Sequence, residues 1–238
     1  SAPGRTEVGG NHTDHQHGEV LAASINKDAI AIVSKRSDDK VNVLAEGFGM
    51  TNMELADLEL REEEKGSTAS LIRGVLAGLK DGGYTLGGFD AYITSDVLIG
   101  AGLSSSAAFE TLIGTVVSGL YNDMNIDPVE IAKIGQFAEN KYFGKPCGLM
   151  DQMACSVGNL VHIDFEDPAN PIVDKVDFDF SKTGYVLAIT DTKGSHADLT
   201  DEYAAVPSEM KKIASLLGHD VLRPIDFEDI LDNIDMLR

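Results

Sequence analysis

The stretch from Val97 to Glu110 limits what this chain can fold into more than any other. An apolar run, Phe89 to Ile99, predicts a strand, which enters the loop Gly100, Ala101, Gly102 and Leu103 and then Ser104, Ser105 and Ser106. Beyond the serines, Ala108, Leu112, Val116 and Leu120 recur every four residues with Ile113 and Val117 beside them, which is the apolar face of a helix. Glycine lets the backbone approach a ligand closely and adopt positive φ, and the free N–H groups of a helix start attract anions. Two readings are open here. Residues 100–106 form a phosphate cradle with a serine hydroxyl available to Mg2+, or they are a glycine turn before an ordinary N-capped helix. No Gly-Lys-Ser/Thr follows, so the loop is not a Walker loop.

The rest of the chain supplies strands and helices without strict alternation. Glu19 to Lys35 and Val41 to Leu44 predict strands around a turn at Ser37 to Lys40. Met53 to Leu60 alternates and predicts a half-exposed strand, and Arg61 to Lys65 is a charge run that predicts a solvated loop. Ser67 to Leu79 predicts a helix closed by Asp81, Gly82 and Gly83. Asp127, Pro128 and Glu130 are a helix start with N-cap, N1 and N3 in place, for a helix running toward Phe143. Gly148 to Val157 predicts a short helix, and Leu160 to Phe165, Ile172 to Phe178 and Tyr185 to Thr190 predict strands. Leu199 to Leu217 predicts a helix that Pro207 must kink or split, and Phe227 to Arg238 is helix-like. This mixture argues for an α+β fold rather than a doubly wound sheet, with a boundary between Phe178 and Gly184.

Composition narrows the partners. The 238 residues carry a formal net charge of −20, which repels nucleic acid and anionic membrane, so neither is expected as a partner. No run approaches the ~20 apolar residues of a membrane span, and Ser1 to Arg5 does not open a secretory leader. Cys147 and Cys155 are too few for a disulfide framework and read as reduced core thiols of a cytoplasmic protein. A polyphosphate bound to so acidic a chain needs local help from helix dipoles, backbone N–H groups, an arginine and a divalent cation.

Two further segments concentrate chemistry. Ala2 to Gly18 crowds Arg5, Glu7, Asn11, His12, Asp14, His15 and His17 between glycines. That set suits a hydroxyl-rich ligand such as a sugar, a metal held by His12, Asp14, His15 and His17, or no ligand at all in an exposed polar loop. Gly144 to Met153 sets Asp151 among Leu149, Met150, Met153 and Ala154. An aspartate in apolar company is seldom buried without a partner, so it is either exposed on an amphipathic helix or a general base held by a nearby cation. Glu139, twelve residues earlier, is a helix-surface glutamate or a metal ligand.

In order and spacing, the three segments together resemble the GHMP kinases, and among them the galactokinases. Ala2 to Gly18 is similar to the galactokinase signature, Gly100 to Glu110 to the ATP loop of the superfamily, and Gly144 to Gln152 to the segment that carries the catalytic aspartate. The resemblance covers essentially the whole chain. It implies transfer of the γ-phosphoryl group of Mg-ATP to the anomeric hydroxyl of galactose, giving galactose 1-phosphate, with ATP and Mg2+ as cofactors. Under it Asp151 is the base and Arg5 the cation beside it. Arg5, Asn11, His12, Asp14, Gly148, Asp151 and Tyr203 bind the sugar. Gly100, Ala101, Gly102, Leu103, Ser104, Ser105 and Ser106 wrap the triphosphate, and Ser106 and Glu139 hold Mg2+.

The implied architecture is a two-domain α+β kinase with the site in the cleft. Residues 1–180 are then the N-terminal sugar- and ATP-binding domain and 181–238 the beginning of the C-terminal domain. The expected partners are a small-molecule sugar and Mg-ATP, and the expected state of the complete protein is a monomer. Family members commonly carry Glu at the position of Asn11 and Tyr at that of His15, which keeps galacturonate, N-acetylgalactosamine and arabinose open as substrates, and a sugar sensor open as a role. A third, glycine-rich family loop is expected beyond Arg238, so the chain is expected to be the larger part of an enzyme.

Overall fold

The structure is a computed structural model that describes residues 1–190 and 200–235, with the backbone alone for 200–204. Its organising element is β2 (Glu19–Lys35), 17 residues long and so able to serve several neighbours. The strand β1 (Ala2–Gly9) pairs antiparallel along Leu21 to Ala29, β5 (Phe89–Ser95) along Ala29 to Lys35, and β6 (Leu160–Asp164) along Glu19 to Ala23. The strand β3 (Lys40–Ala45) runs parallel to β5 and antiparallel to β4 (Gly49–Glu54), and β7 (Ile172–Val176) lies beyond β6. The result is a seven-stranded sheet of order β4-β3-β5-β2-β6-β7, with β1 also on β2. The sheet is mixed, with the single parallel pair β3–β5 among the described residues, which fits the α+β expectation.

Successive strand residues point to opposite faces, and the burial follows. Val41, Val43, Ala45, Phe89, Ala91 and Ile93 are buried, whereas Ile30, Ile32, Leu44 and Tyr92 are exposed. Against the buried face pack α1 (Thr68–Asp81) and α2 (Ser105–Tyr121), whose Ile72, Leu76, Leu79, Leu112, Ile113 and Val117 join the main core. A second core unites Val20 and Ala22 of β2, Val161 and Ile163 of β6, Ala132 of α3 (Pro128–Phe137), and Met150 and Met153 of α4 (Met150–Val157). Helix starts follow their sequence signals. The Ser67 hydroxyl accepts the Ser70 N–H (3.3 Å) and the Asp127 carboxylate accepts the Val129 N–H (2.7 Å). Helix α3 continues into a π-helical turn, Ala138–Phe143, which ends at Gly144 with φ 84°. Such turns are frequent at functional sites.

Four expectations differ from the structure. The strand expected over Met53–Leu60 ends at Glu54, because the Leu55 N–H turns aside to donate to Asp39 O (2.9 Å). Leu55 and Leu58 are then buried from an irregular segment, which produces the alternation. The charge run 61–65 forms a 3-10 turn in which Glu64 pairs with the buried Arg73 (2.7 Å), so it is not simply solvated. Tyr185–Thr190 is not a strand, since no strand of the sheet pairs with it, and Tyr185 and Val186 are 77% and 87% exposed. The helix expected over Leu199–Leu217 forms, as α5 (Thr200–Leu216), with Pro207 inside it. The last helix, α6 (Phe227–Asp232), is shorter than its pattern, and residues 236–238 lie outside the described residues. Among the described residues no helix is long and apolar enough to cross a membrane.

Candidate active site

Strand β1 delivers Arg5 into the middle of the fold. Its backbone N–H donates to Leu103 O (3.1 Å), its Nη1 to Gly102 O (2.7 Å), and its Nε to Asp151 Oδ1 (2.8 Å). Its Nη2 lies 2.7 Å from the same oxygen. The other oxygen of Asp151 accepts the Ser104 hydroxyl (2.6 Å). Burial alone would raise the Asp151 carboxyl, but the Arg5 charge and the hydrogen bonds from Ser104 and Arg5 outweigh it, leaving the group below its ordinary value. Asp151 is therefore ionised at neutral pH and a quarter exposed, with a side-chain exposure of 24%. Ser104 itself is left-handed (φ 57°) and does not cap α2 with its hydroxyl, which is committed to Asp151. A non-glycine residue held in that region costs of order ~1–2 kcal/mol.

In the first turn of α2, the Ser106 hydroxyl donates to Glu139 Oε1 (2.9 Å). The same oxygen accepts Lys145 Nζ (3.1 Å), while Glu139 Oε2 accepts Gln152 Nε2 (2.7 Å). The second N–H of that amide goes to Glu110 Oε2 (3.1 Å). Glu110 and Gln152 are fully buried, and Glu139 is nearly so. Burial first, and the neighbouring Glu139 second, push the Glu110 carboxyl well above its ordinary value. Burial opposes the charge of Lys145, but Glu139 prevails and raises the ammonium.

The segment after β1 forms a 3-10 turn, Thr13–Gln16, flanked by left-handed His12 and His17. Asp14 is buried, with Oδ1 accepting the His15 N–H (3.0 Å) and Oδ2 the Met150 N–H (3.1 Å). Gly148 makes room for it, because a Cβ there would stand 1.8 Å from Asp14 Oδ2. His12 Nδ1 lies 3.9 Å from Asp14 Oδ1. The turn is backed by the chain near its far end: the Leu222 N–H donates to Gln16 Oε1 (3.0 Å), and Arg223 donates to His17 O (2.6 Å) and pairs with Asp164.

Comparison with known proteins decides what this arrangement belongs to. The family model described as GHMP kinases N terminal domain matches residues 66–159, and that described as the galactokinase galactose-binding signature matches residues 1–35. A galactokinase of Streptomyces coelicolor is 33% identical over 233 residues, 97% of this chain and 59% of its own length. The chain belongs to the GHMP kinases, on their galactokinase branch. A galactokinase of Pyrococcus furiosus is 39% identical over 166 residues, covering 70% of this chain and 46% of that protein. The crystal structure of Lactococcus lactis galactokinase complexed with galactose superposes with a TM-score of 0.76 at 26% identity, covering 99% of this chain and 61% of that one. Methanococcus jannaschii mevalonate kinase, at 18% identity and a TM-score of 0.64, shares the fold. The chain thus spans about three fifths or less of the galactokinases it matches.

Within this GHMP-family fold, the residues expected from the sequence fall into three groups. Arg5, Gly102, Leu103, Ser104 and Asp151 meet directly, and Ser106 meets Glu139. Asp14 and Gly148 are in contact, with His12 beside them. Asn11 is exposed and makes no side-chain bond among the described residues, and the side chain of Tyr203 lies outside them. Of the four groups expected as a metal set, His12, Asp14 and His15 bring ligand atoms within 4.8 Å of one another, whereas His17 does not join them. Cys147 and Cys155 are free thiols, and burial pushes both upward. Lys145, Gln152 and Glu110 were missed. Their signal was proximity to recognised residues, since Lys145 and Gln152 flank Asp151 in one segment and Glu110 closes the glycine-serine stretch.

Proposed function

We propose that the protein is a galactokinase that transfers the γ-phosphoryl group of ATP to the anomeric hydroxyl of galactose. The observation that carries the reading is the ionised Asp151, pinned by Arg5 and Ser104 beside the glycine-serine loop. The galactose-binding signature over residues 1–35 and the galactokinase relatives support galactose over other sugars.

In this mechanism Asp14 and His12 accept and donate to sugar hydroxyls, with Asn11 at the rim, Gly148 beside the ring and Tyr203 as a further contact. Asp151 accepts the anomeric hydroxyl proton as its oxygen attacks the γ-phosphorus. The bond from that phosphorus to the β,γ-bridging oxygen breaks, and galactose 1-phosphate and ADP leave. Arg5 keeps Asp151 ionised and oriented. The N–H groups of residues 100–106 hold phosphate oxygens at the start of α2, with the half-exposed Lys145, 3.1 Å from Glu139, as a nearby cation.

Ser106 and Glu139 fit a Mg2+ ion. Ser106 Oγ and Glu139 Oε1 lie 2.9 Å apart, so the two oxygens could together take one small divalent cation. Both donors are hard oxygens, with phosphates and waters left to complete six. When bound, the ion neutralises charge on the transferring phosphates. The two-domain architecture, with residues 1–180 as one domain and 181–238 opening the next, belongs to the same proposal.

The test is coupled ADP release by the natural full-length protein with a panel of sugars, in wild type and Asp151→Asn. Galactose is expected to be the preferred acceptor. The variant should lose ~10²–10⁴-fold in turnover while still binding sugar, since general-base contributions have that size. Turnover within a few-fold of wild type would remove Asp151 from the role of base.

A further inference from the structure

Glu110 is the residue that the proposed chemistry leaves unexplained. It lies on α2 at 0% exposure, with Oε1 making no hydrogen bond. A buried polar atom without a partner is destabilising, and an apolar side chain of that size would avoid the cost. What the acid provides and an apolar residue cannot is an acceptor for Gln152. The Gln152 Nε2 donates to Glu110 Oε2 (3.1 Å) and Glu139 Oε2 (2.7 Å) and also lies 3.6 Å from Cys147 Sγ, while its own Oε1 is unpartnered. A 180° flip of the amide would aim that oxygen at two carboxyl oxygens, so the pair of acceptors fixes which way the amide faces. The network is also walled in. A Cβ at Gly135 on α3 would meet Gln152 Cγ and Glu110 Oε2 at 3.1 Å each.

We propose that Glu110 and Gln152 are positioning residues: a buried relay that fixes the Glu139 carboxylate so that Oε1 faces Ser106 in the geometry a divalent cation takes. Glu139 then has one oxygen held from inside by the relay and the other presented to the loop. The proposal rests on the reading of Ser106 and Glu139 as the cation site. Partners that orient a metal ligand in this way are worth ~10–100-fold in metal affinity.

The experiment titrates Mn2+ into the natural full-length protein with a non-hydrolysable ATP analogue. Bound ion is followed by electron paramagnetic resonance, and thermal melting is recorded on the same samples. Glu139→Ala should lose tight Mn2+ binding. Glu110→Met and Gln152→Met should each weaken it ~10–100-fold, and Glu110→Met should also melt lower than wild type, because it leaves a buried Gln152 N–H without its acceptor. Glu110→Gln, which keeps an acceptor for the amide, should bind within about threefold of wild type. A merely structural role would move melting and leave affinity alone. If Glu110→Met and Gln152→Met both bind Mn2+ like wild type while Glu139→Ala does not, the relay is wrong and the cation site stands. If Glu139→Ala binds like wild type, the cation site is wrong and the relay falls with it. Should Glu110→Met fail to fold, Gln152→Met and Glu110→Gln decide the question alone.

Discussion

Gly148→Ala should damage the sugar loop from a distance, and the size of the damage can be worked from the structure. The φ of Gly148 lies outside the left-handed region, so an added Cβ is not strained by the backbone, only by space. That space is taken: the Cβ would stand 1.8 Å from Asp14 Oδ2 and 2.5 Å from its Cγ. To restore ordinary contact Asp14 must retreat by about 1.6 Å, in a close-packed interior. It then loses the Met150 N–H bond, now 3.1 Å. Overpacking costs ~1–3 kcal/mol and a hydrogen bond to a charged group ~1.5–3 kcal/mol, so about 2.5–6 kcal/mol is expected in all. For a chain of this size that is a fall of ~10 °C in Tm. On the proposed role of Asp14 as a sugar contact, galactose affinity, read by calorimetry, should drop roughly 10–150-fold, the worth of one charged hydrogen bond. The decisive measurement is a double-mutant cycle with Asp14→Ala, which removes the obstructed atoms. Gly148→Ala should cost almost nothing in that background. Additive losses would refute the steric argument, and so would a Gly148→Ala protein that melts within 2 °C of wild type, a change of less than ~1 kcal/mol.

Three other outcomes follow from the geometry. Ser104→Ala removes the hydroxyl from Asp151 Oδ2, so the Asp151 carboxyl rises toward its ordinary value; the acid limb of kcat against pH should move upward, and an unmoved limb would separate Ser104 from the base. Because the folded value of Asp151 lies below its unfolded value of ~3.9, its stabilising contribution is present above that value and lost as pH falls through the folded one. Urea unfolding should therefore fall less steeply below pH ~4 in Asp151→Asn than in wild type. Burial raises both thiols, so Cys147 and Cys155 should react slowly with a thiol reagent at pH 8 in the native protein and rapidly in guanidinium.

Local order was largely legible because its causes are local. Ser67, Asp127 with Pro128, and the Gly144 stop act within a turn of themselves, and each marks a helix boundary in the structure. Glu19–Lys35 emerged as one strand of the expected length. The failures are pairings and partners. Tyr185–Thr190 has strand composition, but strand formation requires a neighbour that composition cannot supply. Met53–Leu60 alternates because Leu55 and Leu58 reach the core without a ladder. At the site, Arg5 beside Asp151 was expected and found. The Ser104 hydroxyl bonds Asp151, 47 residues away, a partner that its place in the glycine-serine loop does not announce. Glu110 and Gln152 each look like an ordinary polar residue on a helix, and only the meeting of α2, α4 and the π-helical turn gives them a shared partner.

The backing of the sugar loop by Leu222 and Arg223 ties together two ends of the chain, and thermodynamic linkage then fixes what passes between them. Gln16 and His17 accept from groups 206 positions later in sequence. Any ligand that orders Asn11 to Gly18 must favour the docking of residues 222–223, and whatever holds those residues in place must tighten the ligand by the same free energy. The Leu222 amide is then a remote gauge of occupancy: its hydrogen exchange should slow when sugar is bound, by the same factor by which releasing Leu222 and Arg223 would weaken the sugar.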